Sequence, residues 1–292
     1  MNHYLYNIAS DEKNTVAANN PYDVEYLKHF TGLKDIKLLP NECPYVNASY
    51  NRSRSSILVG PTRLSGPGLQ LVRGDKGLQE TLLHHNSTYP DLRFSMIRDL
   101  YPKFEYSDIA AHPAIVIIPY ANSVMSVMEY YRIGIPIFAP SLELLVTWQT
   151  SFLLLDELSW ACIHGHCHGP SLIEPHPDTP HRGTDPNKLT DPNSMRHWLN
   201  FSDFYSWPHI QYFDDWEDLF VKISSADFDG ISRDMMLFTK SKSKQIRKTW
   251  MDVLRRAFQG SEVYPKSDFD SWEQASMHFY PGLRKPLLEA AC

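Results

Sequence analysis

The residues best placed to do chemistry lie between Pro119 and Ser141, in the run PYANSVMSVMEYYRIGIPIFAPS. An apolar, β-branched stretch, Ala114–Tyr120, predicts a buried strand that feeds a turn. The spacing then predicts a helix over Asn122–Arg132, with Asn122 as its N-cap and Val124, Val127, Met128 and Tyr131 on one face. Free N–H groups at Asn122 and Ser123 would face a phosphate, because ligands of open α/β sheets gather at the carboxyl ends of strands. Glu129 follows on the same helix, five residues before Gly134 and seven before Pro136. Its carboxylate could accept hydrogen bonds from two vicinal sugar hydroxyls. Equally, it could occupy a solvated helix face, where glutamate is common. Gly134 stands where a helix-ending glycine belongs.

Other candidates are more dispersed. The run Ile57–Gly60 reads as a second buried strand, and the basic residues beyond it, Arg63 and Lys76, could neutralise a diphosphate or simply be solvated loop charges. His112 and Asp108, just before the main strand, fit either ligand contacts or loop residues. The segment CIHGHCHG packs Cys162, His164, His166, Cys167 and His168 into seven positions, but it lacks the paired spacing of zinc modules and reads as a histidine-rich loop without metal. Between Asp191 and His209, five aromatic residues accompany His197 and Asp203. They suit a core cluster anchoring a long loop, and also a wall on which a sugar could stack. No Gly-x-Ser-x-Gly elbow and no glycine-rich phosphate loop occurs, so no nucleophile or catalytic residue is assigned.

The pattern Glu-x4-Gly-x-Pro, formed by Glu129, Gly134 and Pro136, resembles that of glycosyltransferases built from two Rossmann-like domains, in which the second domain holds the donor. The resemblance extends over about Ser55 to Ile223, with its specific matches confined to Pro119–Ser141. It implies that Glu129 binds the ribose or sugar of a nucleoside diphosphate sugar, while Gly134 and Pro136 shape the turn into the next strand. A basic residue after Ile57–Gly60, Arg63 or Lys76, would meet the diphosphate, and no metal or other cofactor is required. The acceptor is unassigned. Many retaining members carry a second glutamate eight residues before the first, and Ala121 occupies that position here. Donor binding without transfer, as a pseudo-enzyme acting as a binding or interaction module, is the alternative implied.

The elements that must position these residues alternate. Strands are predicted at 57–60, 93–97, 114–120, 135–139 and 209–213, with helices at 78–85, 122–132, from Ser141 through Trp148, and from a capping box at Asp214. Such alternation with short connections predicts an α/β fold, a Rossmann-like, mostly parallel sheet with helices on both faces. Residues 1–54 read as the remnant or hinge of an N-terminal domain, and 55–225 as the donor domain with a loop insertion at 160–195. Residues 226–292 read as a helical extension, amphipathic over Ser243–Phe258, with Ile246, Trp250, Val253, Leu254 and Ala257 inward.

Composition bounds the rest. With 42% hydrophobic and 21% charged residues the chain is an ordinary globular one, and a net charge of −6 argues against general nucleic-acid binding. Four cysteines are too few for a disulfide scaffold. The first residues lack a signal-peptide pattern, and the longest apolar stretch, Leu142–Leu155, is too short for an integral membrane segment. The chain therefore reads as soluble as given. A secretory lumen, to which the sequons at Asn47, Asn51, Asn86 and Asn200 would be relevant, would require a signal or anchor elsewhere in a longer chain.

Overall fold

The computed structural model describes residues 2–61, 66–155, 171 and 173–258. Its centre is a five-stranded, all-parallel sheet of β3 (Ile57–Val59), β4 (Phe94–Met96), β5 (Ile115–Val116), β6 (Ile137–Pro140) and β7 (Gln211–Phe213), in the order β4-β3-β5-β6-β7. The register aligns Leu58 with Ile115, Ile115 with Ile137 and Phe138 with Gln211. The three inner strands are buried along their whole length, as continuous apolar runs covered on both faces must be, whereas β4 and β7 are buried only in part. Each predicted strand is present in this one sheet.

Chain order and spatial order disagree at one place. From β3 the chain moves outward to β4 through α3 (Pro67–Arg73) and α4 (Leu78–His84). It then returns past β3 to β5 through α5 (Ile97–Leu100) and α6 (Tyr106–Ala110). Right-handed crossovers put the two connections on opposite faces, so the carboxyl ends of β3 and β5 mark the point where the strand order reverses. Beyond β5 follow α7 (Met125–Ile133) and, after β6, α8 (Leu142–Phe152), α9 (Pro192–Leu199) and α10 (Asp203–Ser206). Past β7, α11 (Trp216–Ser225) returns to the α4 side, where Phe220 meets Tyr89 and Phe94.

Residues before β3 form a small unit of their own, α1 (Asn2–Ala9), then β1 (Val16–Ala18) and β2 (Ile36–Leu38) paired in parallel across α2 (Pro21–Thr31). It packs on the main body. Tyr22 and Tyr26 of α2 meet the fully buried Trp198 edge-on, and His176 rests against Gly32 at the α2 C-cap. The insertion expected at 160–195 has no helix or strand over 171 and 173–191, and its last residues, from Pro192, open α9. Asp185 holds it by accepting from the Ser171 and Asn187 backbone N–H groups and the Ser171 hydroxyl.

Several boundaries differ from the sequence expectation, each for a local reason. The helix after β5 starts at Met125 with Val124 at the N-cap, because Asn122 and Ser123 are drawn into contacts with Asp203 instead. The cap of α11 is Asp215, accepting from Asp218 N–H, with Asp218 in turn accepting from Asp214 N–H. Helix α9 was not predicted, although Asp191 caps it and Pro192 opens it. The last helix, α12, is a single run of 30 residues, Phe228–Ala257. Its buried residues, Phe228, Gly230, Ser232, Met235, Thr239 and Ile246, lie in its first two thirds. Trp250 and Ala257 are exposed, contrary to expectation. No helix among the described residues is long and apolar enough to cross a membrane.

Candidate functional site

The carboxyl edge of β3 and β5 is the place where this topology collects a ligand. From β5 the chain leaves through Ile117 and Ile118, both buried, and reaches Asn122 and Ser123. There the Asn122 carbonyl accepts from the Asp203 N–H at 3.1 Å, and the Ser123 hydroxyl donates to the Asp203 carboxylate. Asp203 is buried at the start of α10. Burial pushes its carboxyl up to about 7, against the opposing hydrogen bond from Ser123 and with a smaller upward push from Asp23 of α2. The Asp203 side chain and the Asn122 carbonyl thus pin α10 to the turn after β5, and sequence reading had left Asp203 in an aromatic cluster. Of the five aromatic residues in this stretch, Trp198 and Phe204 are fully buried in the core, while Phe201, Tyr205 and Trp207 are half-buried.

Glu129 lies in the second turn of α7 and is half-buried. Its Oε1 accepts hydroxyls from Tyr45 and from Tyr106, each at 2.8 Å. Oε2 accepts no hydrogen bond among the described residues. Burial pushes both tyrosine hydroxyls up, and the hydrogen bond to Glu129 adds to the push, taking Tyr106 to about 12. The carboxylate is therefore fixed in orientation, with one oxygen left over. Neither tyrosine was legible as a partner, since Tyr45 stands 84 positions and Tyr106 stands 23 positions away in the chain.

The remaining candidates divide. Gly134 ends α7 in the left-handed region (φ 82°), its N–H donating to the Tyr130 and Tyr131 carbonyls, and Pro136 leads into β6 with its carbonyl accepting from Ile115 N–H. Both shape the turn into the next strand. Gly134 also faces α12, where an added Cβ would stand 2.9 Å from the Met236 side chain, so its contact is with protein. His112, read as either a ligand contact or a loop residue, has both ring nitrogens engaged with protein. It precedes β5 at the amino end of the sheet, is fully buried, and has Nδ1 at 2.7 Å from the Ser56 carbonyl and Nε2 at 2.8 Å from the Tyr101 hydroxyl. Burial holds its imidazole below the ordinary range, only partly offset by the Ser56 carbonyl. Lys76 is exposed on the turn between α3 and α4, its N–H bound to Glu80. Arg63 and the CIHGHCHG segment lie outside the described residues, among which no group of three or more His, Cys, Asp or Glu is arranged to hold a metal ion.

A second polar cluster joins the small N-terminal unit to the insertion. His181 meets Glu25 Oε2 and His197 Nε2, both at 2.9 Å, and His29 Nδ1 meets the Thr179 hydroxyl at 2.9 Å. Burial, then the neighbouring His181, pushes His29 down to about 4. Comparison with known proteins gives no matching family model, curated protein or solved structure.

Proposed function

We propose that this chain binds a nucleoside diphosphate sugar and acts as the donor-binding half of a glycosyltransferase, moving the sugar to an acceptor of unassigned chemistry. The observation that carries the reading is the state of Glu129. Two tyrosine hydroxyls orient it through Oε1 and leave Oε2 to accept a ligand hydroxyl. A fixed acceptor of this kind loses little freedom when a sugar binds, and its charge strengthens the hydrogen bond. The strand–turn–helix unit ending in Gly134 and Pro136, which follows the strand at the point where the strand order reverses, supports the same reading.

A second reading, donor binding without transfer, is favoured by Ala121. That residue is apolar and buried where many retaining enzymes of the resembled family carry a second carboxylate. One experiment addresses both readings. Calorimetric titration with a panel of nucleoside diphosphate sugars measures binding, and release of nucleoside diphosphate measures turnover. In Glu129→Gln the side-chain oxygen can still accept from both tyrosines, while an amide nitrogen replaces Oε2. Loss of a charged hydrogen bond is worth roughly 1.5–3 kcal/mol, so affinity should fall by about 10- to 150-fold with the fold intact. Binding without turnover by the unmodified chain would select the second reading. Absence of binding, or binding indifferent to Glu129→Gln, would remove the donor-site assignment.

A further inference from the structure

Away from the sheet edge, a groove of about 720 Å³ runs between residues 46–49 and α12. Its lining carries five cations, Arg132, Arg233, Lys240, Lys244 and Arg247, and no carboxylate. In a chain whose net charge is −6, this is a local inversion of sign. Arg247 approaches Glu42 at 3.6 Å and Arg233 approaches Asp234 at 3.9 Å, whereas Arg132, Lys240 and Lys244 make no ion pair among the described residues. Lys240 and Lys244 are one turn apart on α12, so they repel each other and the helix gains nothing from having them together.

Between these charges the lining mixes apolar residues with Asn47, Ser49, Thr239 and Ser243. Val46 and Ala48 line one side, Met236 and Leu237 the other, and Leu237 is 62% exposed. The concave shape does not suit a flat bilayer, and no aromatic residue is available in the lining for base stacking. From Arg233 to Arg247 the helix rises roughly 21 Å, longer than one phosphate group can bridge and matched to about four turns of a second helix. Four of the cations lie on α12 and Arg132 on α7, so the lining complements a helix that carries an apolar stripe beside a row of carboxylates.

We propose that this groove docks an acidic amphipathic helix of a partner protein. The assignment is independent of the donor site, since Glu129 does not line the groove. The test is fluorescence anisotropy with a labelled synthetic peptide of about 14 residues, long enough to span the groove. It carries leucines at helical spacing and glutamates elsewhere. A scrambled peptide of the same composition, inorganic triphosphate, homopolymeric RNA and phosphatidylserine vesicles serve as separate competitors. The patterned peptide should bind more tightly than the scrambled one. Its affinity should fall by about tenfold or more in both the Lys240→Glu/Lys244→Glu double variant and Leu237→Asp. Lys13→Glu/Lys34→Glu, an equal charge reversal outside the groove, should bind unchanged, with circular dichroism confirming that all variants are folded. Equal binding of the scrambled peptide, indifference to the double variant, or displacement by triphosphate, RNA or vesicles at lower concentration than by unlabelled peptide would overturn the proposal. Nucleoside diphosphate sugar titration of the double variant separates the two sites, because donor affinity should not change there whichever way the peptide result falls.

Discussion

Tyr106 donates its hydroxyl to Glu129 Oε1 at 2.8 Å, and the bond ties the start of α6 to the second turn of α7. The same oxygen receives Tyr45, so three segments far apart in sequence converge on one carboxylate. Tyr106→Phe keeps the ring and deletes one donor. A single hydrogen bond to a charged group in a half-buried setting is worth on the order of 1–2 kcal/mol, and urea unfolding should report a loss of that size. Donor affinity should fall less than in Glu129→Gln, because Tyr45 still orients the carboxylate. A variant as stable as the parent would show that the bond holds nothing.

Gly134 gives the sharpest steric expectation. Its φ of 82° costs a residue with a Cβ roughly 1–2 kcal/mol, and that Cβ would also stand 2.9 Å from the Met236 side chain. Gly134→Ala should lower the urea midpoint, and Gly134→Val should lower it further because a β-branched residue resists this conformation. Replacing Met236 with alanine in the Gly134→Ala background should restore only part of the loss, since the backbone cost remains. Full recovery would mean that packing, not backbone, sets the requirement for glycine.

The strands were legible because inner parallel strands need apolar residues on both faces. Ile57–Val59 and Ala114–Ile118 satisfy that in consecutive residues. Ser141 was legible as a cap for the same local reason, its hydroxyl accepting from Leu144 N–H three residues on. Asn122 misled because capping propensity is local, whereas its actual neighbour, Asp203, arrives from 81 positions later and holds the turn extended until Val124. Glu129 was legible as a residue of interest from the spacing to Gly134 and Pro136. Its partners were not, since no periodicity links Tyr45, Tyr106 and Glu129. The cationic groove was half visible, in that the basic residues of α12 could be counted. The loop at 46–49 that turns them into a concave surface could not be foreseen.

Two buried groups give the stability a concealed pH dependence. The Asp203 carboxyl, at about 7, binds its proton more tightly folded than unfolded, where an aspartate titrates near ~3.9. Its stabilising contribution is therefore full below the unfolded value and is lost as pH rises through about 7. His29, at about 4, is the reverse, because the unfolded chain takes up the proton near ~6.5 and stability is lost as pH falls toward the folded value. Over much the same window the two slopes oppose each other. Asp203→Asn removes one of them and keeps an oxygen to accept from Ser123. Its unfolding free energy should climb more steeply with pH between about 4 and 7 than that of the parent, and exceed the parent's at about pH 8. Parallel curves from urea titrations across that range would count against a buried, protonated Asp203.

His112 bridges two groups that would otherwise be stranded, the Ser56 carbonyl and the Tyr101 hydroxyl. His112→Phe fills similar volume with no polar atom, and should cost roughly 1–3 kcal/mol in all, since both partners are only half-buried. Donor binding should not change, because the residue sits at the amino end of the sheet. A weakened donor affinity in a variant of unchanged stability would return His112 to the site.

The thirty residues of α12 are unequally anchored. Its buried positions end at Ile246, and the eleven residues from Arg247 to Ala257 contribute no buried side chain. Apart from the approach of Arg247 to Glu42 and local contacts such as Arg255 to Asp252, backbone hydrogen bonds hold that last stretch, and short isolated helices in water are marginal. The helix therefore has a cold end and a warm end. Amide protons near Met235 should exchange only when the whole domain opens, while those past Arg247 should exchange through local unwinding, orders of magnitude sooner, with the boundary falling about one turn beyond Ile246.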